Sequence, residues 1–468
     1  MESPASNIDA FGAFRRAYPE FVYREYSWKC EENRLTLFFT YEFEPGDSIT
    51  TSLCLHLPEM VSEETVRAHE GYIYRIGLVE ALSYWKAHCS SRVRIACGAL
   101  ADGERAWWSN LWYEGLGEFR YRNGLLSVPE DDWVQFVCEG AMKTGPSEIT
   151  PELSGNLIAF TGGKDSTLAL GLMRDSGLGV NELFFIENGV AEQRTEIKHA
   201  LGVETYSETI IERAMNPRLL ALNAEGALNG HTPFSAVAAF AGIFVAALRG
   251  LRYVIVANES SANQPTVPGT DINHQYSKSS TFEKKFQEYC ASVWPTGPRY
   301  FSLLRPLSEV GIATMLKKYE TALPYVSSCN TKVKNNLWCG RCPKCLFAYL
   351  LFAAVKDSSF AERMIGADMF ADTTMSTIMH ELAGLAPTRP FECVGTTQES
   401  LAALSVIFAR FPETRHAPLL KEFWDSHQDM LLSPDLFGHL ACEFHEHLIP
   451  DVAYVEMLKQ AQDEICYG

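Results

Sequence analysis

A chain of 468 residues, of which 47% are hydrophobic, can bury a large core and is long enough for two or three domains. The net charge of −18, without a local cluster of basic residues, excludes a broad nucleic-acid surface but leaves room for a nucleotide. The longest apolar tract, residues 233–248, is shorter than the ~20 residues of a membrane span and is interpreted as a buried helix.

The cysteine content helps to predict the cellular compartment of the protein. The chain has thirteen cysteines, and its first thirty residues lack the apolar segment of an export signal. We therefore expect a cytoplasmic protein whose cysteines are thiols or metal ligands and not disulfides, because the cytoplasm is reducing.

Residues 1–148 are predicted to form an α+β domain. Alternating apolar and polar residues predict strands at 34–43, 51–57 and 92–97, and helical spacing predicts a helix at 75–88. In the aromatic run that follows, we expect Trp107, Trp108 and Trp112 to pack in the core, as aromatic side chains usually do. The polar members of this run that stand out as candidate ligand contacts are Arg120, Arg122 and Asn123.

Strands and helices alternate in the next region, residues 149–354. Strands are predicted at 157–161, 182–187 and 253–257, with helices at 166–174, 194–201 and 235–248 between them. This order predicts an α/β domain with a parallel sheet, whose ligands bind at the carboxyl ends of the strands. Asn188 follows the second strand and is a candidate ligand contact there. Residues 355–468 are predicted to be a mainly helical C-terminal region.

Two adjacent glycines join the first of these strands to its helix. Backbone N–H groups can approach phosphate oxygens there because no Cβ intervenes, and the helix N-terminus favours an anion. Lys164 is suited to a second phosphate group and Asp165 to Mg²⁺. The residue types fit ATP, and the candidate contacts of this turn are Thr161, Gly162, Gly163, Lys164, Asp165 and Ser166.

The spacing of this turn matches neither the Walker loop nor the dinucleotide fingerprint. Its pattern, Ser/Thr-Gly-Gly-x-Asp-Ser/Thr, resembles the PP-loop of the N-type ATP pyrophosphatases. That resemblance implies cleavage of ATP between its α- and β-phosphates. The alternative is an ordinary glycine-containing turn, which is disfavoured because strand, glycines, Lys-Asp and helix follow one another in order.

A long polar segment without helical period spans residues 258–283. Loops of this length in compact domains are usually functional or disordered. Its candidate proton carriers are His274, Tyr276 and Lys278, and Glu259 and Glu283 are suited to hold a metal or orient a base. For each of them singly, a structural or surface role stays open.

Four cysteines lie close together in the sequence, at positions 329, 339, 342 and 345. Three thiols at every third residue and one ten residues upstream can converge on tetrahedral Zn²⁺. We therefore expect structural zinc at Cys329, Cys339, Cys342 and Cys345. A redox site, an iron–sulfur site and free buried thiols are the alternatives.

A PP-loop followed by these cysteines is similar to the 7-cyano-7-deazaguanine synthases, but those enzymes are about half as long. A wider resemblance, across nearly the whole chain, is to the UDP-N-acetylmuramoyl-L-alanyl-L-glutamate epimerases, the MurL family. The segments that carry it are 77–86 (GLVEALSYWK), 115–123 (GLGEFRYRN), 161–166 (TGGKDS), 273–279 (NHQYSKS), 304–309 (LRPLSE) and 339–345 (CGRCPKC).

This resemblance implies an ATP-dependent epimerase with a UDP-linked muramoyl dipeptide as substrate. The terminal L-Glu would become D-Glu, with release of AMP and pyrophosphate. From their attachment to the ATP domain alone, we expect residues 1–148 to hold the UDP-muramoyl part. Lys278 and His274 are the leading acid/base candidates, with Tyr276 and Glu259 next. Arg305 is expected either to hold phosphate or to form a structural ion pair.

Two other classes of function stay open. A PP-loop ligase that amidates, thiolates or forms a nitrile would share the carboxylate activation but require ammonia or a sulfur donor. A non-catalytic nucleotide-binding module would bind ATP without making pyrophosphate. The intact Lys-Asp-Ser end of the turn favours a catalytic protein over the module.

Overall fold

A single mixed sheet of ten strands organises the molecule. The structure is a computed structural model that describes residues 7–142, 152–187, 191–331 and 338–467. The strand order is β10-β9-β6-β7-β8-β3-β2-β1-β4-β5. The strands are β1 (Glu20–Glu31), β2 (Arg34–Glu44), β3 (Ser48–His56), β4 (Arg92–Ile95), β5 (Gln135–Cys138), β6 (Asn156–Ala159), β7 (Asn181–Glu187), β8 (Glu208–Ala214), β9 (Tyr253–Val256) and β10 (Arg299–Ser302).

The direction of pairing changes across the sheet. The five strands from β10 to β8 are parallel, which confirms the α/β class predicted for this part of the chain. Strands β3, β2 and β1 form an antiparallel meander, and β4 and β5 continue it in parallel. Antiparallel pairing of β3 with β8, from Ser52–Ala214 to His56–Ile210, joins the two parts.

The strands of the N-terminal region therefore share one sheet with the strands of the α/β region. Strand β3 pairs with β2 along one edge, which leaves the backbone groups of its other edge without a partner in the hairpin. Strand β8 pairs with that free edge. The predicted boundary at 148/149 lies outside the described residues. The extents 1–148, 149–354 and 355–468 stay predictions.

Alternate residues of the parallel strands enter two different cores. Leu157, Val254 and Tyr300 belong to one hydrophobic cluster, whereas the next residue of each strand, Ile158, Ile255 and Phe301, belongs to the other. Successive side chains of a strand point to opposite faces, so this part of the sheet is covered on both sides. That arrangement explains why these strands are short apolar runs.

Helices pack on both faces of the sheet. Helices α3 and α9 pack on one face of the sheet, and α6, α11 and α12 contribute to the core on the other. The helices are α1 (Ile8–Ala17), α2 (Glu63–Ala68), α3 (Glu70–Trp85), α4 (Asp102–Glu114), α5 (Gly117–Arg122), α6 (Lys164–Ser176), α7 (Ala191–Leu201), α8 (Pro217–Ala224), α9 (Phe234–Arg249), α10 (Ser280–Val293), α11 (Glu309–Met315), α12 (Pro343–Val355), α13 (Ser358–Ile365), α14 (Ser376–Leu382), α15 (Thr397–Arg410), α16 (Pro418–His427), α17 (Asp435–Ala441) and α18 (Val452–Tyr467).

Several local predictions are confirmed. The apolar tract at 233–248 is the largely buried helix α9, and residues after 355 are mainly helical. Trp108 and Trp112 are fully buried, and Trp107 packs against the same core. Within the described part of the chain, no helix is both long enough and apolar enough to cross a membrane.

One expectation about the cysteines is wrong. Cys442 and Cys466 form a disulfide across 24 residues. The side chain of Gln462 on α18 donates hydrogen bonds to the backbone oxygens of Ala441 and Glu443, which fixes the helix beside the end of α17. This tertiary contact brings the two thiols together, and neither spacing nor composition reveals it.

Helix α3 approaches the sheet closely at Gly77. A Cβ built there would lie 1.9 Å from Tyr23 Oη and 2.7 Å from Phe39 Cδ1, both buried side chains. We expect Gly77→Ala to destabilise the protein by about 1–3 kcal/mol, because overpacking forces the sheet and helix apart. Thermal unfolding followed by tryptophan fluorescence measures the effect.

Gly103 on α4 is the matched control, since a Cβ there meets no atom within 4 Å. Gly103→Ala should leave the unfolding midpoint unchanged or raise it slightly, because alanine is the better helix residue. Equal midpoints for the two variants would contradict the close approach at Gly77.

Candidate active site

The two-glycine turn lies at the carboxyl end of β6. Gly162 has a φ of 80°, which favours glycine, and Gly163 caps the N-terminus of α6. The backbone N–H and the hydroxyl of Thr161 lie 3.3 and 3.2 Å from Ser166 Oγ, which closes the turn. The backbone N–H of Lys164 donates to Ser328 Oγ at 3.1 Å, so the turn also contacts the segment that carries the cysteines.

Lys164 is buried beneath this turn. Its ammonium forms ion pairs with the carboxylates of Asp165 and Glu309. Burial lowers the pKa of Lys164, but Asp165, Glu309 and Glu259 together raise it above its ordinary value. Burial also raises the pKa of Glu309. Carboxylate oxygens are the donors that Mg²⁺ prefers, and Asp165 is the more accessible, with 28% of its side chain exposed against 4% for Glu309.

The polar segment 258–283 is folded and not disordered. It contains two short 3-10 helices, Ser260–Asn263 and Tyr276–Lys278, before α10 begins. Arg305 holds both of its ends, donating to the backbone oxygens of Glu259, at 2.6 Å, and of Lys278. The fully buried guanidinium also pairs with Glu283 at 3.0 Å, which favours the structural ion pair over a phosphate contact.

A cluster of titratable side chains surrounds Cys393. The Lys278 ammonium donates to Cys393 Sγ at 3.3 Å. His274 Nδ1 is paired with the carboxylate of Glu118 on α5, and the charge of His274 acts on the same thiol. The ring of His231 lies 4.3 Å from that of His274. Two of the predicted proton carriers, Lys278 and His274, are thus brought together.

The charges in this cluster are complementary. Burial raises the pKa of the Cys393 thiol, but Lys278, Lys344 and His274 outweigh it and lower the value to about 6. The Cys393 thiolate in turn raises the pKa of Lys278 above its ordinary value. Burial lowers the pKa of His274, but its hydrogen bonds to Cys393 and Glu118 raise it to about 9. At neutral pH the cluster therefore holds a thiolate, an imidazolium and an ammonium.

The histidines differ in charge. Burial and the neighbouring charge of His274 lower the pKa of His231 to about 4, so His231 is neutral beside its protonated neighbour. Arg122 pairs with Glu118 at the rim of the cluster, whereas Arg120 and Asn123 bind backbone oxygens.

Two predicted site residues remain, Tyr276 and Asn188. Tyr276 is buried, points towards Asn110 at 3.4 Å and has a pKa raised by burial. Asn188 lies outside the described residues. Cys393 and Glu118 escaped prediction: Glu118 lies in the segment GLGEFRYRN, but Cys393 stands on an irregular segment before α15 with no local motif.

The four predicted cysteines do converge. Their sulfur atoms all lie within 4.8 Å of one another, and three contacts measure 3.4, 3.6 and 3.9 Å. Zn–S bonds of ~2.3 Å in a tetrahedron place sulfurs about 3.8 Å apart. The cluster therefore fits a structural zinc ion.

A cavity of about 640 Å³ lies beside the carboxylates. Lys284, His445 and His447 are among its lining residues. Among the described residues, the predicted site side chains do not line it, but Ser260 and Ser308 do, and these are the chain neighbours of Glu259 and Glu309. The cavity is room for a polar ligand near Glu259 and Glu309.

Fold and site together define an α/β protein in which a two-glycine turn follows a strand of the parallel sheet, close to paired carboxylates and a charged thiol cluster. Family comparisons agree. Residues 13–303 match the model of the MurL N-terminal domain, and residues 325–434 match that of the MurL C-terminal domain. The chain belongs to the MurL family.

Three curated relatives are each named UDP-N-acetyl-alpha-D-muramoyl-L-alanyl-L-glutamate epimerase. The protein of Xanthomonas oryzae pv. oryzae is 29% identical, with 88% of this chain and 91% of the relative aligned. The Micromonospora protein is 32% identical over 81% and 83%, and that of Salinispora tropica is 30% identical over 84% and 85%.

We expect one zinc ion per chain in the purified protein, measured by elemental analysis. Cys342→Ser should lose the ion, because three thiolates hold zinc more weakly than four. Cys30→Ser, which removes a partly exposed thiol on β1, should retain it. Metal-free protein whose four clustered thiols all react freely with a thiol reagent would remove the zinc assignment.

We expect the Cys393 thiol to titrate near pH 6 instead of its ordinary value of 9.0. Between these values the unfolded chain binds a proton that the folded chain does not, so this thiol makes stability rise with pH, and the contribution is lost as pH falls through 6. The thiolate absorbance of the wild type, minus that of Cys393→Ser, measures the titration. Lys278→Met should raise the midpoint by more than about one unit, and an unchanged midpoint would contradict the ion pair.

Proposed function

We propose that this chain is an ATP-dependent epimerase that converts the terminal L-Glu of UDP-MurNAc-L-Ala-L-Glu to D-Glu, with release of AMP and pyrophosphate. Membership in the MurL family supports the epimerase class, and the names of the relatives support the substrate. The observation that carries the use of ATP is the Gly162–Gly163 turn, with Lys164 and Asp165 behind it at the end of β6.

An ATP site in an epimerase has a physical reason. The α-proton of a carboxylate is barely acidic, because its removal would place a second negative charge beside the first. Adenylation of the glutamyl α-carboxylate cancels the first charge. The α-carbon of the adenylate can then lose its proton to give an enolate-like species, which gains a proton on the opposite face before hydrolysis frees AMP.

Phosphate binding, metal binding and proton transfer are assigned to different residues of this chain. The turn from Thr161 to Ser166 binds phosphate groups through backbone N–H groups and the Lys164 ammonium. Asp165 is the carboxylate that would hold Mg²⁺, which neutralises phosphate charge when bound. Lys278 and His274 are the proton carriers, and Cys393, Glu259 and Asp165 favour the ammonium form of Lys278.

The other predicted residues take supporting roles. Arg305 positions the backbone of Glu259 and Lys278. Tyr276 lies against Asn110, and we assign it a packing role in preference to a role in proton transfer. The N-terminal region supplies Glu118 to the thiol cluster, which is consistent with a role in holding the UDP-muramoyl part of the substrate.

Reaction in deuterium oxide tests the proposal. With ATP and Mg²⁺, the product should be D-Glu that carries deuterium at Cα, with one AMP and one pyrophosphate per turnover and no need for ammonia or a sulfur donor. Product without deuterium would exclude proton transfer at Cα, and formation of ADP would exclude the assignment of the turn.

The variant Asp165→Asn tests the metal role proposed for this carboxylate. It should fold normally and lose activity by about 10²-fold or more, because the oriented metal and phosphate are lost. Asp131→Asn, which removes an exposed carboxylate far from the turn in sequence, should retain full activity. Undiminished turnover of Asp165→Asn would remove its metal role.

A further inference from the structure

Three side chains of metal-binding type meet where strand β3 joins strand β8. Cys54 and His56 are two residues apart on β3, so they lie on the same face of the sheet. Cys54 is the direct antiparallel partner of Glu212 on β8, and directly paired residues also share a face. The strand register therefore brings a thiol, an imidazole and a carboxylate together from the two parts of the sheet.

The distances between the ligand atoms of these side chains suit a metal ion. Cys54 Sγ lies 3.8 Å from His56 Nε2, and His56 Nε2 lies 3.0 Å from Glu212 Oε1. All three atoms are within 4.8 Å of one another. A tetrahedral zinc ion, with a Zn–S bond of ~2.3 Å and Zn–N and Zn–O bonds of ~2.0–2.1 Å, places sulfur and nitrogen about 3.6 Å apart and nitrogen and oxygen about 3.3 Å apart. Small side-chain shifts therefore suffice to bind the ion.

Solvent access and local charge also suit a metal site. The thiol is buried, the imidazole is half-buried and the carboxylate is exposed, so the group opens to solvent on one side. The Arg34 guanidinium on β2 lies 3.8 Å from Cys54 Sγ. A cation beside a cysteine favours the thiolate, which is the form that binds metal.

A surface ion pair accounts for only part of this group. His56 and Glu212 alone would form such a pair, which contributes little to stability when it is solvent-exposed. The pair gives no role to the thiol of Cys54. Sulfur, nitrogen and oxygen together are a mixed ligand set that suits Zn²⁺ and related transition ions, whereas Mg²⁺ and Ca²⁺ prefer oxygen ligands.

We propose that Cys54, His56 and Glu212 form a metal site that binds one divalent transition-metal ion of the zinc type, separately from the four-cysteine cluster. The thiolate, the neutral imidazole and the carboxylate are its protein ligands, and water completes the tetrahedron. Two ligands come from the antiparallel meander and one from the parallel strands, so the bound ion links the two parts of the sheet. This proposal does not depend on the epimerase function.

Added Co²⁺ tests the site in the purified full chain. Three protein ligands bind more weakly than four thiolates, so we expect the purified protein to keep zinc at the four-cysteine cluster and to fill the second site when metal is added. Co²⁺ accepts the tetrahedral geometry of zinc, and its bond to a thiolate absorbs in the near ultraviolet. Total bound zinc and cobalt should rise by one ion per chain, and the absorption band should appear with it.

Variants of the three ligands identify the site. Cys54→Ser, His56→Ala and Glu212→Gln should each weaken binding of the added ion by at least about tenfold, because even the loss of a partner that only orients a ligand costs about 10–100-fold. Cys54→Ser should also abolish the near-ultraviolet band. Glu212→Gln changes an exposed side chain outside the core, and it should keep the band at saturating Co²⁺.

Thermal unfolding gives a second measurement. Added Zn²⁺ should raise the unfolding midpoint of the wild type, because an ion that binds only the folded chain stabilises it. The same addition should leave the midpoint of Glu212→Gln nearly unchanged. Cys30→Ser, at a free thiol on β1, should show the shift and the cobalt band of the wild type.

Several outcomes would overturn the assignment. Binding of no further ion by the wild type, or a cobalt band that survives in Cys54→Ser, would exclude the site. Unchanged affinity in Glu212→Gln would show that β8 supplies no ligand. Loss of the band in Cys393→Ser would place the added ion at the other thiol cluster. None of these results depends on whether the protein releases pyrophosphate from ATP.

Discussion

The buried ion pair between Arg305 and Glu283 is the interaction on which the site depends. Arg305 is fully buried and binds the backbone oxygens of Glu259 and Lys278, while Glu283 also accepts the backbone N–H of Ser302 on β10. The pair ties the two ends of the segment 258–283 to the sheet. Removal of one partner of such a pair leaves an uncompensated buried charge and costs about 3–5 kcal/mol, so the segment has little freedom to move away.

Beyond this ion pair, positive and negative side chains alternate through the site. Glu118 pairs with His274, the charges of His274 and Lys278 both act on Cys393, Glu259 and Asp165 favour the Lys278 ammonium, and Lys164 lies between Asp165 and Glu309. In a partly buried site each charge is tolerable only because its neighbours are opposite. The same alternation places the Cys393 thiol beside the Lys278 ammonium.

Local sequence patterns predicted the features of the fold and site that depend on neighbouring residues. The Gly162–Gly163 turn, the apolar strands on both sides of it, helix α9 and the four-cysteine spacing all depend on residues close in sequence. Strands β1, β5, β8 and β10 escaped prediction, although β1 alternates from Tyr23 to Glu31, and β8 is placed by its pairing with β3. Arg305 was left between two roles because sequence does not show whether a guanidinium is buried.

The sequence by itself determined the two-glycine turn, the zinc-type spacing and the α/β class, because glycine conformation, thiol spacing and side-chain periodicity act over a few residues. Motifs spread along the chain determined the family. Only the tertiary structure decided that one sheet runs through both halves and that Cys442 pairs with Cys466. It alone also set Cys393 against Lys278 and His274. Cys393 is 115 residues from Lys278, and no periodic pattern extends over that distance. A thiol becomes a thiolate only where folding brings cations to it.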